Sequence, residues 1–561
     1  MIGTVQNKAW SWLAQLGDVL GALPARQFSW GLVLVFSIWV LFDVFVLRLT
    51  GGLAQSSFDA MVRARLVVAA PDPRVVIVDI DEASLAKMGR EFGRWPWPRD
   101  TLATVLDHIE GQQPAAVVWD VVFSDADRLS PGGDAAFNHA ASRSAHSHFS
   151  VVRLPPANDA ASMITSAVLP GLWVAHGARV SSLPDSAAAT VALVPPALPA
   201  IAAGKLGYNN GYVDGDGVLR RYRYQEQLSD GKAIQSIPLS VLSSMAPAVY
   251  LSRTQRQATA SDNADELIVW RSRANIYPRF SFAEVFAQAE GAKVSATLPS
   301  FAGKVVVIGA TAPSLHDIHP TPLSASQAGV DTLATAIDNA LNQRHLAELP
   351  RWLEAVLAMS LCAGLALWVQ LKGAASLAPA LLVLPILLLA LSYLSLNGLP
   401  VFLDLHLAAG LALVFLAVLR LWGNLRRRHW CTLTQKDSLD IALFSFAGAQ
   451  AWTDSSLDRL MDALEQHAPA CRIVVCDAYT AWPAKPLWPE LSCYASIAGP
   501  KSALLMAHSA LPQVLGSKLL SPGPIVLIGH PASRPVLIQI AIAQWSALGY
   551  NENLDTQRPS S

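Results

Sequence analysis

The stretch Arg74–Asp125 reads RVVIVDIDEASLAKMGREFGRWPWPRDTLATVLDHIEGQQPAAVVWDVVFSD and sets the fold class of the region around it. Val75–Ile80 and Ala116–Trp119 are almost continuously apolar, which is typical of strands covered on both faces in a parallel sheet. Leu102–Ile109 has the apolar spacing of a helix, and Asp100 occupies an N-cap position after two prolines. The stretch therefore predicts strand, helix and strand in succession.

A third apolar run, GKVVVIGATAP at Gly303–Pro313, lies near the end of the same polar region. Alternation of strands with helices favours an α/β fold, and the long intervals between the strands indicate insertions. We therefore expect one α/β domain over residues 48–351.

Apolar segments flank this domain on both sides. A membrane-spanning helix needs about 20 mostly apolar residues. We predict four such helices, at residues 28–47, 352–369, 377–396 and 400–422. Asp404 and His406 fall in the first turns of the last segment, near its outer edge, where interfacial water reaches ionisable groups.

Basic residues near the segment ends predict the orientation. Positions that favour a cytoplasmic location for residues 1–27 and 430–561 are Lys8, Arg26, Lys372, Arg420 and Arg426–Arg428. Positions that count against it are Arg48, Arg63, Arg65, Arg344 and Arg351. The Arg426–Arg428 cluster is the strongest signal, so we expect a bacterial inner-membrane protein with both termini cytoplasmic and residues 48–351 in the periplasm.

The cysteines agree with this orientation. They are Cys362, Cys431, Cys471, Cys476 and Cys493, so none lies in the domain predicted to face the oxidising side. Four lie after the last apolar segment, in the compartment that keeps thiols reduced. Their spacing does not predict a zinc site.

Polar and aromatic side chains near the predicted strand ends are candidates for ligand binding. Asp79, Asp81 and Asp120, together with Arg99, lie where an open α/β sheet presents its crevice, and they are suited to a polar ligand or a metal. Alternatively, these acids cap helices or hold turns. Trp95 and Trp97 form either an aromatic wall of the site or a hydrophobic plug, and we favour the plug. Asp214 and Asp216 alternate with glycines, a pattern that favours a tight turn over a calcium site.

Several blocks of this region together resemble one protein family. They are Val76–Leu85, Trp95–Arg99, Asp120 with Phe123, Asp214–Arg220, Gly303–Thr311, Asp317 and Gly329–Asp331. In this order they resemble the type-two CHASE domain, a cyclase/histidine-kinase-associated sensory extracellular domain. The resemblance implies a sensory role, dimerisation and a cytoplasmic output module, commonly a nucleotide cyclase, a kinase or a cyclic-dinucleotide enzyme.

The last segment, residues 430–561, predicts a small α/β domain. Its expected strands are Ile441–Phe446, Ile473–Cys476, Ala503–Ala507 and Ile525–Ile528. It contains no phosphate-binding loop, kinase signature or metalloprotease motif, so no catalytic residue is predicted. Asp477 follows a predicted strand and, with Lys501, is a weak candidate for a phosphoacceptor site.

The sequence thus predicts an α/β periplasmic sensor domain, four transmembrane helices and a small cytoplasmic α/β domain. With 41 basic and 42 acidic residues, no basic stripe predicts nucleic-acid binding. We expect a signal-transducing protein whose tail binds a protein partner without catalysis, and we identify no cofactor. The alternatives are a structural subunit of an envelope assembly and a cyclase- or kinase-type enzyme with an unrecognised active site.

Overall fold

The structure is a computed structural model that describes residues 17–47, 51–128, 130–174, 190–228, 232–258, 265–271, 276–292, 300–377, 379–431, 441–448, 454–476, 494–515, 519–522, 525–527, 540–541 and 543–544. The helices are α1 (Ala25–Phe42), α2 (Gly51–Arg63), α3 (Glu82–Phe92), α4 (Arg99–Glu110), α5 (Pro131–Arg143), α6 (Pro199–Ala202), α7 (Ile237–Met245), α8 (Pro247–Ala258), α9 (Phe282–Ala289), α10 (Gly329–Leu341), α11 (Arg351–Lys372), α12 (Ala380–Gly398), α13 (His406–Cys431), α14 (Asp454–His467) and α15 (Lys501–Leu515).

The strands are β1 (Val75–Ile80), β2 (Ala116–Trp119), β3 (Ser147–Arg153), β4 (Leu193–Val194), β5 (Lys205–Tyr208), β6 (Arg221–Tyr222), β7 (Gln225–Gln227), β8 (Ala233–Gln235), β9 (Glu266–Leu267), β10 (Arg279–Ser281), β11 (Val305–Ala310), β12 (Ile318–His319), β13 (Gln327–Ala328), β14 (Ala347–Glu348), β15 (Val401–Phe402), β16 (Ile441–Gly448), β17 (Arg472–Cys476), β18 (Tyr494–Pro500), β19 (Leu519–Pro522) and β20 (Val526–Leu527). The chain forms two compact units, one of Gly51–Leu349 with Ser392–Asp404 and the other of the remaining segments.

The first unit is built on a seven-stranded sheet with the order β10-β1-β11-β2-β3-β4, in which β5 also pairs with β3. All pairs are parallel except β3 with β4, so the sheet is mixed. Every residue of β1 and β2 is buried, as their continuous apolar sequences predict. The prediction of two parallel core strands at these positions is confirmed.

Helices cover both faces of this sheet. On one face, side chains from alternate positions of β1 pack with α4, α5 and α9. On the other, Val75 and Ile77 pack with α7 and α10. Helix α4 begins at Arg99 with Pro98 at the N-cap, so the predicted N-cap role of Asp100 is wrong and this residue lies in the first turn instead.

Among the described residues, four helical segments are long and apolar enough to cross a membrane, namely Ala25–Leu47, Arg351–Lys372, Ala380–Gly398 and His406–Cys431. The last begins at His406, because Val401 and Phe402 form β15 and pair with Ala347 and Glu348 of β14. Asp404 therefore precedes the helix, and the expectation that it lies in the first turn is wrong. Pairing with a strand distant in sequence overrides the local apolar pattern.

In the second unit, aromatic side chains hold α1 against α13. Phe28 stacks on Trp422 with ring centroids 4.7 Å apart, and Phe36 meets Phe415 edge to face at 5.3 Å. Aromatic pairs of this kind add to the stabilisation that comes from the buried area.

After α13, the second unit contains an antiparallel sheet with the order β17-β18-β16-β19, in which β20 also pairs with β16. Helices α14 and α15 pack on it around a shared apolar core. The predicted strand at Ala503–Ala507 is wrong, because these residues lie inside α15, which Lys501 begins. A short apolar run does not distinguish a strand from a buried helix.

Gly309, near the end of β11, lies where α10 meets the sheet. A Cβ atom added at Gly309 would lie 2.7 Å from Cγ2 of Val330 and 3.0 Å from Cβ of Asp120. Both separations are too short for carbon atoms, so the absence of a side chain allows the first turn of α10 to approach the strand.

We predict that Gly309→Ala destabilises the protein by about 1–3 kcal/mol, because the added methyl group overpacks a site between a strand and a helix. The measurement is the free energy of unfolding of the full-length protein in detergent. Gly89→Ala is the matched control, since an added Cβ there meets nothing within 4 Å. An equal effect of both substitutions would contradict this explanation.

Candidate functional site

Asp79 and Asp120 lie on the same face of the sheet at its carboxyl edge. Side chains alternate along a strand, so Asp79 shares a face with Val75 and Ile77. Asp79 of β1 pairs in register with Gly309 of β11. On the opposite side of β11, Ile308 pairs with Trp119 of β2, so the next residue, Asp120, lies beside Gly309 there. The two predicted carboxylates therefore flank the glycine, as expected for polar residues at the ends of parallel strands.

Asp79 is buried and fully engaged. The hydroxyl of Thr311 donates to its two carboxylate oxygens at 2.7 and 2.8 Å. Nη1 of Arg279 lies 3.4 Å from Oδ2, and the same guanidinium also binds Asp331 in α10. Burial raises the pKa of Asp79, while Thr311 and Arg279 oppose the shift by stabilising the charged form.

Asp120 is held differently. The side-chain amide of Asn209 donates to its Oδ1 atom, whereas its Oδ2 atom is buried and accepts no hydrogen bond from the described residues. Burial, followed by the nearby charge of Asp317, raises the pKa of Asp120 to about 7. Nε2 of His319 lies 3.6 Å from Oδ1 of Asp317. Asp317 and His319 are thus the two titratable side chains that act on the pKa of Asp120.

A buried oxygen without a hydrogen bond is a costly feature that usually has an explanation in ligand, water or proton binding. In its protonated form Asp120 donates a hydrogen bond, and in its ionised form it accepts one or pairs with a cation. Among the described residues, no group of three or more His, Cys, Asp or Glu side chains is arranged to hold a metal ion. The buried Oδ2 atom of Asp120 suits a proton, a hydrogen-bond donor or a cation.

Asp81 has the capping role given above as the alternative to ligand binding. It is the N-cap of α3, and one carboxylate oxygen accepts from the backbone N–H of Ser84 at 2.7 Å. Ser281 of β10 donates to the same oxygen at 3.2 Å. The capping hypothesis is confirmed for Asp81. Although it lies two residues from Asp79 in sequence, its carboxylate stabilises the start of α3.

The structure does not bring Arg99 and Trp95 together with the two carboxylates. Arg99 donates to the carboxylate of Asp134 and to the backbone carbonyl of Asp125. Trp95 meets Trp97 edge to face with ring centroids 4.9 Å apart, and Trp97 in turn packs on Phe282 at 5.3 Å. The arrangement is the hydrophobic plug that we favoured for this turn.

Asp214 and Asp216 form the predicted turn. The N–H of Gly217 donates to the carbonyl of Asp214 at 2.9 Å, which closes it. Both carboxylates bind the buried guanidinium of Arg220, at 2.9 and 2.7 Å. Their oxygen atoms therefore serve an internal ion-pair cluster rather than calcium.

Sequence reasoning did not identify Arg279, Asn209 and His319 as site residues. Asn209 directly follows β5, so the rule that identified Asp79 and Asp120 applies to it as well. Arg279 is part of a three-residue strand, and the apolar pattern of the sequence carries no signal for it. The candidate phosphoacceptor Asp477 lies outside the described residues. Its proposed partner Lys501 begins a helix, and the described strands of that region are antiparallel, which does not favour a receiver-like site.

We predict that the pKa of Asp120 makes stability depend on pH. An unperturbed aspartate has a pKa near 3.9. Because folding raises the pKa of Asp120 to about 7, the folded state binds more protons than the unfolded state between about pH 4 and 7. The free energy of unfolding therefore falls as the pH rises through this window. We expect Asp120→Asn to melt at a higher temperature than the wild type at pH 8, with a difference that shrinks towards pH 5.

The measurement is the melting temperature of the full-length protein in detergent across this pH range. The control is Asp125→Asn, which changes an exposed carboxylate in the neighbouring loop. A pH dependence that is unchanged in Asp120→Asn would contradict the role of this carboxyl group.

No curated protein and no solved structure shows a significant match to the chain. The sequence model of the family described as the CHASE2 domain matches residues 32–369, which is more than half of the chain and includes every residue of the site described above. The protein therefore belongs to the CHASE2 domain family, a family of sensory domains, and carries this domain together with four helices able to span a membrane.

Proposed function

We propose that this protein is a signal transducer of the bacterial inner membrane. Its CHASE2 domain lies in the periplasm and detects a ligand or a protein partner. The membrane helices transmit the resulting change to a non-catalytic cytoplasmic α/β module, residues 430–561, which binds another protein. The chain acts as a homodimer or a larger oligomer, as the family resemblance implies.

The observation that carries this proposal is the way α13 continues beyond the apolar part of its sequence. The helix has 26 residues, and its last turns contain Arg426 with a side chain that is only 4% exposed. This guanidinium binds Asp462 at 2.7 Å and Glu465 at 2.6 Å, both on α14. Since α13 is one continuous helix, a shift or rotation of its membrane portion is carried directly to α14.

Apolar packing reinforces this connection. Trp430 and Cys431, at the end of α13, belong to the buried core that α14, α15 and the antiparallel sheet share. The guanidinium of Arg472 in β17 lies 5.2 Å from the ring centre of Trp430. The end of the helix is thus part of the tail's core rather than a flexible linker to it.

The CHASE2 unit includes the connection between α12 and α13. The side chain of Asn397, near the end of α12, accepts from the backbone N–H groups of Leu66 and Val67 at 2.9 and 3.1 Å. Phe402 in β15 contacts Phe58 of α2 with ring centroids 5.1 Å apart. A rearrangement of the domain near α2 therefore acts on the chain segment that joins the last two membrane helices.

Charge distribution supports the proposed orientation. Arg63 and Arg65, which count against this orientation, form hydrogen bonds inside the CHASE2 unit. Arg63 donates to the carbonyl of Pro322 at 3.0 Å, and Arg65 donates to the carbonyl of Leu396 at 2.9 Å. Arg344 binds Asp338 at 3.1 Å in the same unit. These three arginines therefore have structural roles in the domain. Arg426 likewise has acidic partners, and the Arg426–Arg428 cluster remains the strongest basic signal for the proposed cytoplasmic side.

We assign ligand contact to Asp120, with Asp79 on the other side of Gly309. Asp81, Trp95 and Arg99 stabilise the neighbouring helix cap, turn and loop instead. A ligand shifts the balance between two arrangements of the domain only through its different affinity for them. Binding at Asp120 meets this requirement if it changes the packing of α10, whose first turn lies against Gly309 between the two carboxylates.

The first test is an affinity purification of full-length protein beside a version that ends after Cys431, with mass spectrometry of the bound proteins. We expect a cytoplasmic partner that is present with the full-length chain and lost on truncation. Envelope proteins retained equally by both versions would instead indicate a structural subunit. Nucleotide turnover by full-length protein that truncation abolishes would overturn the non-catalytic assignment.

A second test addresses the connection itself. Arg426→Gln removes the buried charge from α13 and leaves Asp462 and Glu465 without it, at an expected cost of about 1–2 kcal/mol because both acids are partly exposed. We expect faster proteolysis of the tail and weaker recovery of the partner. Arg428→Gln, an exposed position two residues on, is the control. Equal partner recovery by both variants would contradict the proposed coupling.

A further inference from the structure

An exposed apolar segment joins α2 to the central sheet of the CHASE2 unit. Residues 66–71 read LVVAAP and contain no charged side chain. Leu66 and Val67 stand next to each other and are 73% and 62% exposed. Contiguous exposed apolar residues mark a surface that another molecule covers more often than single ones do.

This segment is fastened to the end of α12. The side-chain oxygen of Asn397 accepts hydrogen bonds from the backbone N–H groups of Leu66 and Val67 at 2.9 and 3.1 Å. The hydroxyl group of Tyr393, one turn earlier in α12, donates to the backbone carbonyl of Ala64. The two side chains of α12 therefore hold the bend that exposes Leu66 and Val67.

The length of α12 gives the level of this bend relative to a bilayer. The helix has 19 residues, so it is about 28 Å long at 1.5 Å per residue, close to the roughly 30 Å of a hydrocarbon core. Arg65 donates to the carbonyl of Leu396 in the last turn at 2.9 Å. A bend that contacts this turn lies where the acyl chains meet the headgroups, a level at which tyrosines such as Tyr393 are common.

The hydrogen bonds of the bend suit contact with lipid. A backbone group that leaves water is costly unless the protein itself supplies its partner. Here α12 supplies an acceptor for two successive N–H groups and a donor for the carbonyl of Ala64. A loop that faces only water needs no such partners, because water forms these hydrogen bonds.

The charges around the segment agree with this environment. The nearest acids in the sequence, Asp59 and Asp72, are buried and form ion pairs with arginines. Arg63 and Arg65 precede the segment, and the long side chain of an arginine can place its charge among headgroups while its stem lies against apolar groups. The exposed part of the segment therefore carries apolar side chains with basic residues at one end.

We propose that residues 66–70 form a contact between the CHASE2 domain and the lipid bilayer, with Leu66 and Val67 at the edge of the acyl-chain region beside the end of α12. The inference rests on α12 crossing the membrane and not on any output of the tail. Strand β1 begins at Val75, shortly after the segment. The contact therefore limits how far the central sheet can move from the bilayer surface.

The test places the photo-crosslinking amino acid benzoylphenylalanine at position 66 of full-length protein in phosphatidylcholine nanodiscs. Mass spectrometry then identifies the product of illumination. We expect a covalent adduct with phosphatidylcholine, and position 67 should give the same adduct independently. Each labelled protein must melt at the wild-type temperature, which shows that it is folded.

Position 163 is the matched control, because Met163 is also apolar and is 89% exposed. It lies near the opposite edge of the sheet from the segment, which leads into the amino end of β1. Its neighbour Ser162 donates to the carbonyl of Val191 at 2.7 Å, close to β4, and β4 pairs with the last two residues of β3. We expect no lipid adduct at this position.

A second measurement gives the depth of the contact. A fluorescent amino acid replaces the crosslinker at positions 66 and 163, and the nanodiscs contain phosphatidylcholine with a nitroxide group on the acyl chain near the glycerol. We expect this lipid to quench most of the emission from position 66 and little of the emission from position 163.

Two results would overturn the proposal. A crosslink between two copies of the chain at position 66, without a lipid adduct, would mean that a second protein molecule covers the segment. Equally weak quenching at positions 66 and 163 would mean that water surrounds it. Neither result bears on the tail's protein partner, so this inference and the proposed function fail separately.

Discussion

Arg426 places a charge among buried side chains at the end of a membrane-spanning helix, where a charge without a partner would be strongly unfavourable. Asp462 and Glu465 of α14 supply the opposite charge, and their positions tie that helix to α13. Trp430 then continues the contact as apolar packing in the core of the tail. The two ion pairs and the packing together couple the membrane helix to the tail, and the proposed signal transmission depends on this coupling.

At the other end of the same helix, the CHASE2 unit includes the connection Ser392–Asp404. Strand β15 within this connection pairs with β14, so the fold of the domain fixes its path. The chain thus provides a continuous route from the domain through α13 to α14.

The sequence predicted the central strands well, because β1, β2 and β11 are apolar at nearly every position and need no information from distant residues. It also predicted that Asp79 and Asp120 lie at or near the ends of strands. It did not predict the partners of Arg99, because the loop with Asp125 and the helix with Asp134 come close to Arg99 only in the folded domain. It missed Arg279 for the same reason, since this residue lies 200 positions from Asp79. The misplaced start of α13 and the helix at Ala503 also reflect tertiary contacts that outweigh local pattern.

The most direct test of the central claim is hydrogen exchange of α14 in full-length protein when only the CHASE2 domain is altered. Asp120→Asn imitates the protonated carboxyl group at the carboxyl edge of the sheet without changing any residue of the second unit. We expect altered amide protection within Asp454–His467 relative to the wild type in the same nanodiscs. A change confined to the CHASE2 unit, with α14 unaffected, would contradict transmission through α13.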